Sequence, residues 1–305
     1  MKLNDLENID FLDNSRLSFE HDLSRLNWFN IGGKTQIYLF VNSLRDLSKF
    51  LKIYQKRGKI FMLGAGSNVL FSDEVYDGAI IKLGKAFNNI SKLNENLIIS
   101  GSSCLDKKLS DFAMENNIEG FEFLSCIPGS VGGGIKMNAG CYGREFKDIV
   151  VSVQAIDLEG KIITIPAQKI QFKYRSTNLP KNLIYLSVTF KGKISNAETI
   201  KKKIEELKKK KELSQPIRVK TSGSTFKNPV NQSTKKVWEL IRESVNINEV
   251  NKMFGDAKLS EKHCNFLINQ DKASSKDMKN LIYFIKENVY KKTGVNLELE
   301  IVLTS

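Results

Sequence analysis

The sequence predicts an α+β fold of two or three domains. The chain has 305 residues, more than one minimal domain usually contains. Hydrophobic residues make up 41% of it, which is enough to form real cores. Stretches with helical periodicity alternate irregularly with strand-like stretches, and this order differs from a regular strand–helix repeat.

The N-terminal part of the chain has one well-marked helix among strands. The helix is predicted over 43–58. Ser43 can cap it, its apolar residues recur at three- and four-residue steps, and Gly58 ends it. The remaining predicted elements are strands at 35–41, 79–83 and 97–101, a strand running into a glycine turn at 59–71, and a helix at 105–117.

The C-terminal part contains a lysine-rich helix that looks like a domain boundary. For this helix, 197–213, we expect a buried stripe of Ile200, Ile204, Leu207 and Leu213. A strand–turn–strand at 149–166 and a strand at 184–190 are predicted before this helix. Strands at 265–269 and 296–303 and helices at 236–244 and 275–292 are predicted after it.

The charge of the chain favours a small anionic ligand over a nucleic acid. The net charge is +13, but it comes from 39 lysines and only 8 arginines, and arginine is the residue that reads phosphates and bases in pairs of hydrogen bonds. Most of the lysines are scattered, and those of 197–213 fit the solvated face of a helix. A basic protein still suits a small, strongly anionic substrate.

Several protein classes are excluded or disfavoured by simple patterns. No apolar run approaches the length of a membrane span, and the acidic, polar start is no secretory signal. The spacing of Cys104, Cys126, Cys141 and Cys264 suggests neither a metal site nor a disulfide framework, so we expect no metal and a reducing cytoplasm.

Glycine is concentrated in one part of the chain. Seven of the 20 glycines lie between Gly120 and Gly143, although glycine in an ordered segment costs roughly 0.5–1 kcal/mol relative to alanine. A ligand that the backbone must approach closely would offset that cost. "LGAGSN" (63–68) is a second glycine turn with free N–H groups, so the two segments together could clamp a diphosphate, although either alone could be a plain loop.

Three short polar motifs supply candidate chemistry. "SGSTFKNP" (222–229) contains Ser224, but the chain has only two histidines and no G-x-S-x-G elbow, which disfavours a hydrolase. "YRST" (174–177) contains Arg175, whose paired donors suit a carboxylate or an enolate. "LELE" (297–300) places Glu298 and Glu300 on one face of the last predicted strand.

Together these segments resemble the UDP-N-acetylenolpyruvoylglucosamine reductase family. The resemblance runs from about residue 20 to 303, in one order. It covers "NWFNIGG" (27–33), "LGAGSNVL" (63–70), "GFEFLSCIPGSVGGGIKMNAGCYGRE" (120–145), "YRST", "GSTFKNP", "SEKHCNFLIN" (260–269) and "LELEI" (297–301). It implies an FAD-binding region of two subdomains of the vanillyl-alcohol-oxidase (PCMH) type, followed by an α+β substrate domain. The implied boundaries are an N-terminal extension at 1–20, the FAD-binding region at 21–195 with a split near 84, and the substrate domain at 196–305.

The resemblance also implies which residues contact the FAD. "LGAGSN" is similar to the family's phosphate loop, and the glycine-rich stretch is similar to the wall around the pyrophosphate and the flavin ring. The implied cofactor-binding residues are Gly64, Ala65, Gly66, Ser67, Asn68, Val69, Leu70, Pro128, Gly129, Ser130, Gly132, Gly133, Asn138, Ala139 and Gly140.

The implied reaction has two stages, and three residues carry the second. NADPH reduces the FAD, and the enolpyruvyl UDP-sugar then accepts hydride at C3, a step of peptidoglycan precursor synthesis that serves cell wall biogenesis, cell shape and division. By motif position, Arg175 and Glu300 would stabilise the resulting enediolate, and Ser224 would deliver a proton to C2. The implied substrate-binding residues are Tyr174, Lys227, Asn228 and His263. A cytoplasmic monomer is expected, with no nucleic-acid partner and no membrane insertion.

Some positions depart from the family pattern and leave alternatives open. Trp28 replaces a small hydroxylic residue, Thr177 replaces a serine, Val302 replaces an arginine, and 243–255 lacks the usual Gly-Leu-Lys-Gly run. The short stretch between Arg175 and Ser224 resembles the branch without an extra tyrosine-bearing loop. An FAD oxidase, a catalytically silent flavin- or nucleotide-binding protein and a nucleic-acid binder remain alternatives. Anaerobic reduction by NADPH separates the first, and the absorbance spectrum of the purified protein separates the last.

Overall fold

The structure, a computed structural model, describes residues 6, 14–54 and 58–304. Within this part of the chain there are two compact units, each assembled from separate stretches of sequence. Unit 1 draws on Met1–Phe19, Ile37–Ala65 and Asp77–Lys211. Unit 2 draws on Glu20–Gln36, Gly66–Tyr76 and Glu212–Ser305.

The strands are numbered in chain order. They are β1 Arg16–Asp22, β2 Lys34–Val41, β3 Lys59–Leu63, β4 Val69–Leu70, β5 Tyr76–Leu83, β6 Ile90–Lys92, β7 Leu97–Gly101, β8 Ile118–Glu119, β9 Gly140–Cys141, β10 Arg144–Glu145, β11 Val150–Ile156, β12 Ile162–Pro166, β13 Phe172–Lys173, β14 Ser176–Thr177, β15 Ile184–Lys191, β16 Lys193–Ile194, β17 Ala257–Leu259, β18 Leu267–Asn269 and β19 Val302–Leu303.

The helices are numbered in the same way. The α-helices are α1 Leu44–Tyr54, α2 Asp106–Glu115, α3 Val131–Met137, α4 Ala197–Ser214, α5 Val237–Ser244, α6 Ile247–Val250 and α7 Ser275–Thr293. Short 3-10 helices span Ser24–Leu26, Lys85–Phe87, Glu122–Cys126, Phe146–Asp148 and Ala167–Lys169.

Unit 1 is organised around two sheets. One has the strand order β1-β2-β5-β3, in which β3 and β5 run parallel. The other is antiparallel, with the order β12-β11-β15-β7-β6 and irregular register where β11 pairs with β15. Helix α1 forms as predicted, because Ser43 Oγ accepts the N–H of Asp46 at 3.1 Å and the helix buries Leu47, Phe50 and Leu51.

The second core of unit 1 is rich in aromatic side chains. Phe121, Phe146 and Phe190 are fully buried and meet edge to face, with ring centroids about 6 Å apart. They pack with the apolar faces of α2, β11 and β15. This core lies beneath the glycine-rich stretch and fixes its course.

Unit 2 is built on helix α7. Ser274 and Asp277 form a reciprocal cap at its start, and Gly294 ends it in the left-handed region with φ 74°. Asp73 adds its carboxylate to the N–H groups of Ser275 and Lys276 at 2.9 and 3.1 Å, where an acidic group is favourable. The helix buries Met278, Leu281, Ile282, Ile285 and Val289 in the core of this unit.

Two sequence expectations about apolar and strand patterns are wrong. Leu213 is 71% exposed, so the buried stripe of α4 consists of Ile200 and Ile204 only, with Leu207 half-buried. The fully buried side chains of this helix both lie in its first half. The predicted strand at 296–303 shortens to β19, because Leu299 makes a single bridge to Phe226 before the chain turns into a pairing with β4.

The glycine-rich stretch contains a helix that the sequence did not predict. Residues 131–137 are helical despite three consecutive glycines. The other predicted elements are present with shifted ends. Of the range 43–58 predicted for α1, residues 55–57 lie outside the described residues, and Gly58 is not helical. The domain boundaries 1–20, 21–195 and 196–305 stay a prediction. None of the described helices is long and apolar enough to cross a membrane.

Candidate functional site

The two glycine-rich segments approach each other within unit 1. A Cβ atom at Gly64 would lie 2.5 Å from Ser130 Oγ, so this close approach needs glycine. A Cβ atom at Gly133 would meet only that same hydroxyl, at 3.6 Å. Both glycines are exposed, and they leave bare backbone on either side of the Ser130 hydroxyl. The predicted clamp therefore has its two halves side by side.

Helix α3 is held by its surroundings rather than by helix propensity. The N–H groups of Val131 and Gly132 donate to the carbonyls of Cys104 and Ser102 at 2.9 and 2.8 Å. Gly134 lies against the Phe146 ring with no room for a side chain. Three glycines each disfavour a helix by about 1 kcal/mol, so tertiary contacts decide its conformation.

Asp106 is a buried acid next to this segment that sequence reasoning missed. Its backbone N–H donates to the carbonyl of Gly129 at 3.1 Å, and a Cβ atom at Gly129 would lie 2.5 Å from Asp106 Oδ2. Neither carboxylate oxygen has a hydrogen-bond partner within the described protein. Complete burial raises the pKa of the Asp106 carboxyl well above its usual value. The main-chain N–H of Asp106 therefore supports the Gly129 loop, and burial disfavours the charged form of its carboxyl.

Asn138 joins three segments behind the glycine-rich stretch. It ends α3 in the left-handed region with φ 42°, and it is fully buried. Its Nδ2 donates to Glu145 Oε2 at 3.0 Å and to the Lys173 carbonyl at 3.1 Å, and its Oδ1 accepts the N–H of Lys147 at 3.1 Å. The amide thus shapes the loop through these bonds, and its role in cofactor binding stays a prediction.

Arg175 stands at the tip of a two-residue hairpin between β13 and β14. Tyr174 and Arg175 form the turn, and Arg175, its second residue, has a φ of 54°, a positive value that type II turns have at this position. Its Nη2 donates to the carbonyl of Gly140 at 3.0 Å, and its guanidinium carbon lies 4.9 Å from the centre of the Tyr174 ring. The hairpin thereby anchors the arginine on the end of the glycine-rich stretch.

Ser224 begins a segment of unit 2 that Asn265 holds by main-chain hydrogen bonds. The Thr225 N–H donates to the Asn265 carbonyl at 2.8 Å. The side chain of Asn265 accepts the N–H of Phe226 at 2.9 Å and donates to its carbonyl at 2.8 Å. Ser224 itself is half-buried and pairs with Phe266 in a single antiparallel bridge. Both polar atoms of the Asn265 side chain are therefore hydrogen-bonded. Its place in the motif "SEKHCNFLIN" is the sequence signal that could have identified it.

Glu300 is attached to the same segment, whereas Glu298 points away. The N–H of Glu300 donates to the carbonyl of Thr225 at 2.8 Å, and Glu300 is half-buried. The side chain of Glu298 is 72% exposed and lies 3.5 Å from the ammonium of Lys227. The structure therefore brings Ser224 and Glu300 together through Thr225.

The end of the "LGAGSN" loop braces Glu300, which the sequence analysis did not anticipate. Asn68 Nδ2 donates to the Glu300 carbonyl at 3.0 Å, and the Val302 N–H donates to the Asn68 carbonyl at 3.0 Å. Gly66 has a φ of 71° and lies directly against the carbonyl of Leu26, while its own carbonyl accepts the N–H of Trp28 at 3.0 Å. Asn68 and Gly66 thus shape the main chain in addition to their predicted contact with the cofactor.

Two predicted substrate-binding residues have structural partners of their own. His263 Nδ1 accepts the N–H of Asn265 at 3.3 Å, and its ring meets the Phe266 ring edge-on at 4.9 Å. Burial, with smaller contributions from Lys236 and Arg242, lowers the pKa of His263. Asn228 Oδ1 accepts the N–H of Val237 at 3.1 Å at the start of α5.

The residues around Ser130 suit a dinucleotide cofactor. A pyrophosphate needs N–H or hydroxyl donors and a backbone without side chains in the way. Gly64, Gly133 and the Ser130 hydroxyl provide this combination, and a side chain at either glycine would fill the space. The structure thus supports the fit of FAD to this part of unit 1.

Comparisons with known proteins agree with an FAD site around Ser130. The FAD binding domain family matches residues 35–166, and the UDP-N-acetylenolpyruvoylglucosamine reductase C-terminal domain family matches residues 215–304. The chain is 57% identical over 287 residues to UDP-N-acetylenolpyruvoylglucosamine reductase of Pelagibacter ubique, covering 94% of each chain. It is 42% identical to the same protein of Rickettsia canadensis, covering 92% of this chain and 93% of the relative.

A solved structure has the same fold. It is the UDP-N-acetylenolpyruvylglucosamine reductase (MurB) of Thermus caldophilus, with a TM-score of 0.79 and 27% identity over 96% of this chain and all of the other. Together with the two family matches, this similarity confirms the predicted α+β class and an FAD-binding region followed by a separate C-terminal domain.

Proposed function

The chain belongs to the UDP-N-acetylenolpyruvoylglucosamine reductase family, and from this premise we propose that Arg175, Ser224 and Glu300 carry its chemistry. The protein is an FAD-dependent oxidoreductase that uses NADPH to reduce UDP-N-acetyl-3-O-(1-carboxyvinyl)-glucosamine to UDP-N-acetylmuramate, in peptidoglycan precursor synthesis. The observation that carries the proposal is the joint attachment of Ser224 and Glu300 to Thr225. The other FAD-dependent oxidoreductases considered above are not favoured by these matches.

The FAD is held by the bare backbone around Ser130. Gly64, Ala65 and Gly133 let the pyrophosphate approach, and the Ser130 hydroxyl is a donor between them. When bound, the FAD supplies hydride transfer from NADPH to C3 of the enolpyruvyl group. The neighbouring segment from Pro128 to Gly140 keeps its shape through Asn138 and Phe146, which leave no freedom for α3 to shift.

Arg175 binds the carboxylate of the enolpyruvyl group. Its guanidinium has paired donors, and the bond from Nη2 to the Gly140 carbonyl fixes one side of the group. Reduction at C3 moves negative charge toward this carboxylate, so a positioned cation stabilises the transition state more than the ground state. The Tyr174 ring lies under the guanidinium, 4.9 Å from its carbon, and favours the positive charge there.

Ser224 delivers the proton to C2 of the substrate. A serine hydroxyl is a weak acid, but a carbanion-like carbon is a strong base, so placement decides the rate. That placement comes from the bonds of Thr225 and Phe226 to Asn265. Ser224 is half-buried, and Gly223 beside it has a φ of 77° that an ordinary side chain rarely adopts.

Glu300 stabilises the enediolate as the protonated acid, which donates a hydrogen bond to the developing negative charge, and Glu298 stays in solvent. The carbonyl and N–H of Glu300 are both fixed, by Asn68 and Thr225. Lys227, paired with Glu298 at the surface, is placed to attract the anionic nucleotide sugar. His263 and Asn228 are proposed to bind the substrate. His263 is held by the N–H of Asn265, and Asn228 by the start of α5.

The experiment that tests the function follows the flavin absorbance of the purified protein under anaerobic conditions. We expect NADPH to bleach the flavin band and the enolpyruvyl UDP-sugar to restore it. A protein that is colourless, or one whose reduced flavin is reoxidised by oxygen but not by the sugar nucleotide, contradicts the proposal. We further propose that the protein acts in the cytoplasm as a monomer without nucleic acid, which size measurements with and without DNA check.

A further inference from the structure

Two cysteines flank the glycine-rich stretch and meet in unit 1. Cys126 ends the 3-10 helix Glu122–Cys126, and Cys141 lies in β9. The Cys141 thiol donates to the carbonyl of Phe123 at 3.2 Å. In a 3-10 helix the carbonyl of one residue faces the N–H of the residue three positions later, so the Phe123 carbonyl brings Cys141 to the turn that ends at Cys126.

The two thiols interact with each other, and Ser125 Oγ lies 3.7 Å from Cys126 Sγ. Cys126 is 6% exposed, and Cys141 is half-buried. Among the four free cysteines, Cys104 and Cys264 are buried elsewhere in the protein.

A lysine lies next to the more acidic of the two thiols. Lys211 Nζ donates to the carbonyl of Cys126 at 3.0 Å, which places its ammonium beside the thiol. The contact with Cys141, helped by Ser125, Lys211 and Lys208, lowers the pKa of Cys126 to about 6. The same contact and burial raise the pKa of Cys141. Cys126 is therefore the more acidic thiol of the pair and Cys141 the less acidic one.

We propose that Cys126 and Cys141 form a redox modification site at which a small hydroperoxide produces an intramolecular disulfide. The Cys126 thiolate attacks a peroxide oxygen, the O–O bond breaks, and an alcohol, or water from hydrogen peroxide, leaves. The resulting sulfenic acid is attacked by Cys141 as its proton is lost, the S–O bond breaks, and water leaves. The two thiols lose two electrons and two protons, and the peroxide is reduced by the same two electrons.

The position of the disulfide connects it to the active segment. It joins the two ends of residues 127–140, which include the predicted contacts with FAD. Cys141 must also give up its hydrogen bond to Phe123 on oxidation. The preceding residue, Gly140, provides the carbonyl that anchors Arg175 at 3.0 Å. Oxidation therefore reaches the substrate-binding arginine through one peptide unit, a consequence that rests on the proposed role of Arg175.

The test is a peptide map of the FAD-loaded protein before and after hydrogen peroxide. Lys136 lies between the two cysteines, so trypsin separates them and a disulfide joins two peptides. We expect the joined pair after peroxide, two of the four alkylatable thiols lost on denaturation, and full recovery with dithiothreitol. Peptides that stay separate, a disulfide to Cys104 or Cys264, or irreversible sulfinic acid at Cys126 would overturn the proposal.

Single variants test the order of events. Cys141→Ser is expected to stop at a sulfenic acid on Cys126 that dimedone traps, whereas Cys126→Ser should leave Cys141 unmodified. Cys264→Ser is the matched control and should oxidise like the parent protein. Fast oxidation of Cys141 in Cys126→Ser would contradict the assignment of the thiolate. We expect oxidation to raise the KM for the sugar nucleotide several-fold. An unchanged KM would reject the coupling to Arg175. Whether the disulfide forms is decided by the peptide map alone.

Discussion

The backbone N–H of Glu300 donates a 2.8 Å hydrogen bond to the carbonyl of Thr225, the residue that follows Ser224. Thr225 in turn donates its own N–H to Asn265 at 2.8 Å. The proposed acid and the proposed enediolate-stabilising carboxylate are therefore fixed by the same residue, which is fully buried. A displacement of this segment would move both groups, and Asn265 is the side chain that prevents it.

Asn265→Ala is expected to destabilise unit 2 by about 2 kcal/mol or more. The change leaves the N–H and the carbonyl of Phe226 without their partner in a buried position, and each such group costs about 1–3 kcal/mol. Both tryptophans, Trp28 and Trp238, lie in unit 2, so urea unfolding followed by tryptophan fluorescence reports on this unit.

The matched control for this variant is Asn248→Ala. Asn248 is exposed on α6, and its loss should change the free energy of unfolding by less than about 0.5 kcal/mol. Equal effects of the two variants would show that the Asn265 amide does not hold the segment.

Variants of the adjacent residues Gly133 and Gly134 are expected to affect FAD binding and folding stability, respectively. Gly133→Leu should fold normally, because the side chain enters open space and a helix position gains about 1 kcal/mol over glycine. It should nevertheless raise the dissociation constant of FAD at least about tenfold, since the backbone is no longer bare. FAD content and the thermal unfolding midpoint are measured on the purified variant.

Gly134→Ala should show the opposite result. Its Cβ would overlap the buried Phe146 ring, and such overpacking costs about 1–3 kcal/mol. The unfolding midpoint should fall while any FAD bound by the folded fraction keeps its affinity. For the other variant, full FAD occupancy in Gly133→Leu would show that Gly133 does not contact the cofactor.

Local patterns were sufficient for much of the fold and for the motifs of the site. Helix α1 followed from Ser43 and its apolar spacing. Short motifs singled out Ser224, Arg175 and Glu300, whose roles stay a prediction. Helix α3 could not be predicted, because glycine opposes a helix and the stabilising groups, Phe146 and the carbonyl of Ser102, are distant in sequence.

Two other features depended equally on tertiary structure. Leu213 has helical spacing but lies beyond the buried side chains of α4, so periodicity alone wrongly predicted its burial. Asp106 looks like an ordinary acidic residue at the start of a helix, and only its complete burial against Gly129 distinguishes it. Asn68 and Asn265 are motif residues whose positioning roles appear only in the hydrogen bonds.

Asp106→Asn should become more stable relative to the parent protein as the pH rises from 5 to 8. Burial raises the folded-state pKa of this carboxyl above its unfolded value, so its contribution is present at low pH and lost as the pH rises toward the folded pKa. The unfolded state releases the proton first, and the slope is at most about 1.4 kcal/mol per pH unit. Asparagine removes this dependence.

Urea unfolding of the FAD-free forms at both pH values measures the difference. A difference between the two proteins that does not change with pH would mean that Asp106 is charged in the folded state. Keeping FAD absent prevents its binding energy from adding to the comparison.

Glu300→Ala should lower kcat by about 10²-fold or more, because the acid that donates a hydrogen bond to the developing charge is lost. Glu298→Ala is the matched control. Its carboxylate is 72% exposed and its ion pair with Lys227 is at the surface, so an effect of about twofold or less is expected. Steady-state kinetics with the sugar nucleotide compare the two, and a reversal of their order would assign the role to Glu298.

Ser224→Ala should separate the two halves of the reaction, because its hydroxyl is needed in only one of them. Oxidation of NADPH requires no proton at C2, so the variant should bleach its flavin band with NADPH at close to the parent rate. Recovery of the band with the enolpyruvyl UDP-sugar should slow by about 10²–10⁴-fold, the usual contribution of a general acid. The Thr225 and Phe226 bonds to Asn265 are main-chain contacts that alanine at 224 leaves intact, so the segment should keep its conformation. Anaerobic stopped-flow absorbance records both steps on the same sample. If Ser224→Ala slows both steps equally, the residue positions the cofactor, and the proton at C2 comes from another group.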